Sequence, residues 1–303
     1  MMNKGLRIFG LITSIGVLIV LLQGALVTQT GSEAGCGATW PLCFGEVIPT
    51  NPAIETIIEY SHRIVSGLVG AMIIVLAIWS WKKLSHIKET KVLSILAVFL
   101  IIFQGLLGAG AVVFGQSDVI LALHFGVSAM SVASVFLLTM LSFENHSVNR
   151  IIVNVSKAYK RYFLFTIIFC YAVIYTGAYV KHVEATLACR GFPLCNGLLF
   201  PGLAGPVGAH FFHRLAGTSL LIVLFILMIW TIRKFRHERV LVISSVAAFL
   251  LTIVQFISGA SVVLTENEFL SLGLLHALFI TIVFAILSYM GLILLRKKST
   301  SHI

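Results

Sequence analysis

The sequence predicts an all-α integral membrane protein whose eight transmembrane helices form two tandem four-helix bundles, related by a pseudo-two-fold axis along the membrane normal. Three observations carry this. Hydrophobic residues make up 59% of the 303-residue chain and charged residues 11%, with a mean hydropathy of +1.04. That balance suits lipid and excludes an ordinary soluble domain of this length. Eight apolar runs are long enough to span a bilayer. The second half also repeats the first: EYSHRIVSGLVG (59–70) aligns with HFFHRLAGTSLL (210–221), so that His213 follows His62 by 151 residues and His210 takes the place of Glu59.

In chain order, the first run covers roughly 7–30. It has no small-residue cleavage site and continues for more than about twenty residues, so it is read as a span and not as a removed signal peptide. A long loop, 31–54, leads to span two (55–81); span three (92–114) and span four (119–142) are joined by the short segment 115–118. Span five (161–181), the long loop 182–206, span six (207–232), span seven (240–264), the short segment 265–269 and span eight (270–295) repeat that order. The expected units are therefore 1–150 and 151–303. With four spans in each, both enter the membrane in the same sense, as in a parallel repeat.

Orientation follows from the basic residues, which collect on cytoplasmic segments. Lys4 and Arg7; Lys82, Lys83, Lys88 and Lys91; Arg150, Lys157, Lys160 and Arg161; Arg233, Lys234, Arg236 and Arg239; and Arg296, Lys297 and Lys298 put 17 of 21 on one side. Both termini are expected in the cytoplasm and the long loops outside. The net charge of +10 reflects this topology; nucleic-acid binding would need a basic face on a soluble element.

Histidine within lipid is costly and points to function. His62, His124, His213 and His276 lie inside spans, one per helix and two per unit. His276 of GLLHAL follows His124 of LALHF by 152 residues, and Gln255 of VQFISGASVV follows Gln104 of FQGLLGAGAVV by 151. His62 stands about seven residues into its span, roughly 10 Å below the outer boundary, and the other three lie at comparable or shallower depth. Facing histidines at matched depth suit a heme whose iron is held between two imidazoles in a four-helix bundle.

Other readings are interhelical hydrogen bonds, a metal site of copper or zinc, and a di-iron site begun by Glu59-Tyr60-Ser61-His62. The di-iron class needs a second Glu-x-x-His that the chain does not repeat. His86, His146, His182, His210, His237 and His302 fall in loops, the tail or span edges.

Glu59 lies one turn before His62 and shares its helix face, so its carboxylate is expected at the rim of any macrocycle that His62 holds. A buried acceptor or a partner for Arg63 is the plainer role. Arg63 and Arg214 directly follow ligand histidines. They either snorkel to the interface or pair with heme propionates. Gly67, Gly70, Gly105, Gly108, Gly110, Gly126, Gly217 and Gly259 suit close approach of a macrocycle, or close packing of helices.

Cys36 with Cys43 and Cys189 with Cys195 fall in the long outer loops, where disulfides persist. Each pair is read as a structural staple or as a redox-active dithiol, though the spacing is wider than C-x-x-C. Cys170, within span five, is a small apolar filler.

The EYSHR and FHR segments opening spans two and six, FQGLLGA in span three, the two late histidines and the cysteine-bearing loops together resemble heme A synthase, in its Bacillus-type branch. The resemblance runs from about residue 7 to residue 295. It implies an oxidoreductase of heme A biosynthesis that oxidises the C8 methyl of heme O to a formyl group, giving heme A for terminal oxidases. His62 and His124 then ligate the substrate heme in the first unit, His213 and His276 a resident heme b in the second, and Glu59 is the functional glutamate.

The implied setting is a bacterial cell membrane, with a heme O synthase and a quinone or thiol electron acceptor as partners. With both His62 and His124 on the iron, no coordination position is free for O2. Either one histidine leaves or water supplies the oxygen atom. The rival readings are a di-heme b-type electron-transfer cytochrome acting on quinol, which would not need Glu59, and a transporter, since parallel repeats occur there too.

Overall fold

The computed structural model describes residues 4–115, 118–144 and 153–296. Arg150, Lys297, Lys298, His146 and His302 lie outside the described residues. Eight helices follow in order: α1 (Lys4–Gln29), α2 (Ile54–Leu84), α3 (Lys88–Val113), α4 (Asp118–Phe143), α5 (Lys157–His182), α6 (Gly205–Phe235), α7 (Arg239–Leu264) and α8 (Leu270–Leu295). All eight are long and apolar enough to cross a membrane, and each lies within a few residues of its expected span.

The two halves are built alike. α2 and α6 have 31 residues each and the other helices 26. His62 and His213 are each the ninth residue of their helix. Within the first half, α1 packs on α2 and α4, and α3 bridges α2 and α4; α5, α6, α7 and α8 close a second ring in the same way. Between the rings the contacts are α1 with α8, α4 with α5, and α4 with α8. Exchanging α1 with α5 and α4 with α8 maps this set onto itself, as a two-fold relation requires.

Burial reports the same centre. Of the apolar windows, 56% of α8 and 50% of α4 are buried, against 28% for α1, α2, α3, α6 and α7. Lipid must satisfy the rest, and residues such as Ile15, Leu68, Leu106 and Ile257 are exposed accordingly. The seam between the rings depends on close backbone approach: the ring of Tyr175 from α5 lies where a Cβ on Gly126 of α4 would stand.

At the end of the bundle away from the histidines, Arg296 is 5% exposed. Its guanidinium donates to Glu144 Oε2 at 2.6 Å and to Glu89 Oε1 at 3.2 Å, joining the ends of α8 and α4 to the start of α3.

The long loops fold back onto their bundles. Cys36–Cys43 and Cys189–Cys195 are disulfides. Each loop is closed by a matching antiparallel bridge, Cys43 with Glu46 and Cys195 with Leu198. The first is seated on α2 through Gly35, whose carbonyl accepts from Thr56 Oγ1 at 2.7 Å; a Cβ at Gly35 would collide with the backbone of Glu55. Cys170 is a buried free thiol within α5.

Candidate functional site

A cavity of about 940 Å³ opens in the half of the bundle that carries the long loops, and it touches both rings. Its size lies at the upper end of the usual range for ligand sites. His62, His124, His213 and His276 all line it, with Glu59 and Arg63 on one side and His210 and Arg214 on the other. Trp40 and Phe192 from the two disulfide loops also border it. Apart from the histidines it is largely apolar, with polar groups at few points.

Each histidine is backed by a glycine on a neighbouring helix. A Cβ on Gly24 would lie 3.3 Å from His62 Cε1, on Gly108 3.2 Å from His124 Cε1, on Gly177 2.9 Å from His213 Cε1 and on Gly259 2.7 Å from His276 Cε1. Gly24 and Gly177 were not among the expected glycines. Their signal is the repeat of Gly24-Ala25-Leu26-Val27 in Gly177-Ala178-Tyr179-Val180 at an offset of 153.

The eight expected glycines divide by role. Gly67, Gly105 and Gly217 have open space where a Cβ would stand, and they line the cavity. Gly108 and Gly259 back imidazoles, Gly70 meets Ile101, and Gly110 packs near Phe114. Gly126 serves the seam between the rings.

In the second ring the imidazoles are oriented through Nδ1. The Thr176 hydroxyl donates to Val173 O at 2.8 Å, which leaves its oxygen to accept from His213 Nδ1–H at 2.8 Å. His276 Nδ1 stands 3.0 Å from Gln255 O and 3.0 Å from Ser258 Oγ. A carbonyl only accepts, so Nδ1 carries the proton. Both neutral rings are thus assigned the tautomer whose Nε2 bears the lone pair. In the first ring Nδ1 of His62 and of His124 has no hydrogen-bond partner among the described residues.

These features test whether a heme fits. The rings of His213 and His276 have centroids 6.5 Å apart and planes inclined by 81°. Two metal–nitrogen bonds of about 2.0–2.1 Å, each with roughly 1.1 Å from nitrogen to ring centre, add to about 6.3 Å. The spacing suits two imidazoles on opposite sides of one ion. Nε2 lone pairs, open glycines and an apolar cavity complete a donor set that suits a porphyrin iron. Among the described residues, no group of three or more histidine, cysteine or acidic side chains comes together to hold a metal ion.

Glu59 is 4% exposed and held at both oxygens. Oε2 accepts from Cys36 N–H at 2.8 Å, and Oε1 accepts from Arg63 Nε at 3.0 Å and from its Nη2. His210 in the second ring is 5% exposed, and its Nδ1–H donates to Ala185 O at 2.9 Å. It is therefore a buried, engaged residue and not a plain span-edge histidine.

The two arginines also clamp the disulfide loops. Arg63 Nη1 donates to Thr39 O at 2.7 Å and Leu42 O at 2.9 Å. Arg214 donates to Gly191 O at 2.9 Å and to Cys189 O. The structure gives both arginines loop carbonyls as partners, an arrangement that neither snorkelling nor propionate pairing anticipates.

The comparisons agree with this architecture. The model of the cytochrome oxidase assembly protein family, COX15-CtaA, matches residues 7–288. A heme A synthase of Alkalihalophilus pseudofirmus is 69% identical over 297 residues, covering 98% of this chain and 100% of that protein. Heme A synthases of Halalkalibacterium halodurans and Geobacillus kaustophilus are 64% and 41% identical, each over 298 residues and 98% of this chain, and over 100% and 94% of their own lengths. With the family model matched along nearly all eight spans and these relatives aligned end to end, the chain belongs to the cytochrome oxidase assembly protein family.

Proposed function

We propose that this chain acts as a heme A synthase, oxidising the C8 methyl of heme O to a formyl group. The observation that carries the reading is an asymmetry inside a symmetric frame. Two histidine pairs face one cavity, and only the first has a buried carboxylate one turn from a ligand position. In this reading His62 and His124 hold the substrate heme, and His213 and His276 hold a resident heme b. The relatives named heme A synthase, aligned over almost the whole chain, support the same conclusion.

Bound heme would supply a redox-active iron and a conjugated ring able to take up electrons. The protein's own part is positioning and proton transfer. Glu59 accepts a proton from the reacting methyl group or from an attacking water, or stabilises positive charge developing at that carbon. Arg63 holds the carboxylate in place, and both Arg63 and Arg214 stand where a propionate could add to their loop contacts. Loops bearing Trp40 and Phe192 limit water at the cavity mouth.

The electrons pass to an acceptor, a quinone or a thiol partner, and heme O arrives from a heme O synthase. The basic helix ends support cytoplasmic termini, with the disulfides outside the cell membrane. The test is to extract hemes from cells making this chain together with a heme O synthase. A formyl porphyrin is expected. Accumulation of heme O alone, with the chain present in the membrane, would overturn the proposal.

A further inference from the structure

The two histidine pairs differ in what grips their far nitrogens, and the difference has a sequence cause. Thr176, which accepts from His213, is replaced at the matching position of α1 by Gln23, 153 residues earlier. Gln23 Oε1 has no hydrogen-bond partner among the described residues. Ser258, beside His276, is matched by Leu107, 151 residues earlier.

The carbonyl that accepts from His276 belongs to Gln255, whose counterpart is Gln104. There are 21 positions from Gln255 to His276 but 20 from Gln104 to His124, which shifts the ring against that carbonyl. Gln104 instead turns its amide to His124 O at 2.8 Å and to Ser128 Oγ.

We propose that Thr176 and Ser258 are positioning residues that make the second site a permanent heme site, while the first site, lacking both, is built to release its macrocycle. The inference rests on the heme-binding reading above. An acceptor at Nδ1 fixes the ligating tautomer and ring orientation and raises the basicity of Nε2. Loss of such partners typically costs about 10–100-fold in metal affinity. A ring with a free Nδ1 can take either tautomer and rotate, so its grip is weaker. A product must leave the first site at every turnover, whereas a resident group must not.

The test uses the full chain purified in detergent, with transfer of heme to added apomyoglobin followed by absorbance and the reduction potential of the retained heme measured by titration. The parent should keep one heme that transfers slowly. T176V/S258A should lose it about 10–100-fold faster, with a raised potential, because the oxidised iron loses electron donation from its imidazoles. T176S, which keeps an acceptor, should behave as the parent. L107S should slow release from the first site, so that a second heme survives purification.

Parent-like transfer and potential in T176V/S258A would overturn the inference. If the double variant does not accumulate, T176V alone, which removes the acceptor at His213 Nδ1, is read by potential, and an unmoved value overturns it equally. A parent without heme would instead sink the heme-binding reading itself.

Discussion

The Glu59 carboxylate accepts the backbone N–H of Cys36 at 2.8 Å, tying the acid on α2 to the first half-cystine of the long loop that precedes it. In the second ring the corresponding loop offers carbonyls to Arg214 and no donor to an acid, because His210 bonds Ala185 O instead. Opening the two disulfides should therefore have unequal effects. C36S/C43S is expected to lower heme A yield on the order of tenfold to 100-fold, since small misplacement of a reacting group carries that cost. C189S/C195S should lower it less. Yields that fall equally per heme bound would refute the link.

Glu59 itself gives the sharper measurement. E59Q keeps the volume and two of the contacts but loses the base, so methyl oxidation should fall by about 10²–10⁴ while heme content stays normal. Heme A formed at the parental rate by such a preparation would remove Glu59 from the chemistry.

Arg63 joins Glu59 to the loop through four contacts: Nε and Nη2 to the carboxylate, and Nη1 to the carbonyls of Thr39 and Leu42. Lysine cannot fork in this way. R63K is expected to lower both thermal stability and product yield. R63A should be worse, because a buried carboxylate that loses its cationic partner costs about 3–5 kcal/mol. Unfolding followed in detergent by intrinsic fluorescence would show it, and an unshifted transition in R63A would argue against the pair.

Much of this arrangement was legible because the chain is duplicated. The offsets of 151–153 residues locate the four histidines that line the cavity, Glu59 against His210, and the cysteine pairs. Spacing could not give helix rotation. Serine and threonine in spans usually bond their own helix, as Thr176 does to Val173 O, so nothing marks the one that also meets an imidazole. The Glu59–Arg63 pair was among the expected roles, but the loop contacts of Arg63 and Arg214 were hidden, because they depend on how each long loop folds back over the cavity mouth. Gly24 and Gly177 carried a readable signal in their repeat at an offset of 153 residues.

Arg296 predicts an effect on stability alone. It pairs with Glu89 and Glu144 at the end of the bundle opposite the histidines. R296A should cost about 3–5 kcal/mol, seen as a lower unfolding midpoint, with the absorption spectrum of bound heme unchanged. An altered spectrum at unchanged stability would contradict this assignment.

The four glycines behind the imidazoles should rank by clearance. A methyl at Gly259 or Gly177 would stand 2.7 or 2.9 Å from a ring carbon, closer than packed atoms tolerate, so His276 or His213 must move. At Gly24 and Gly108 the gaps are 3.3 and 3.2 Å, which a shift of a few tenths of an ångström relieves. His213 and His276 cannot make that shift freely, because Thr176 and Gln255 hold their Nδ1 atoms. G259A and G177A should therefore purify with markedly less heme than G24A and G108A, by roughly the 10-fold or more that displaced ligands cost. Heme per polypeptide, read from the absorbance of the pyridine complex, checks the order; equal heme in all four variants would mean that the rings are not held as tightly as these contacts require.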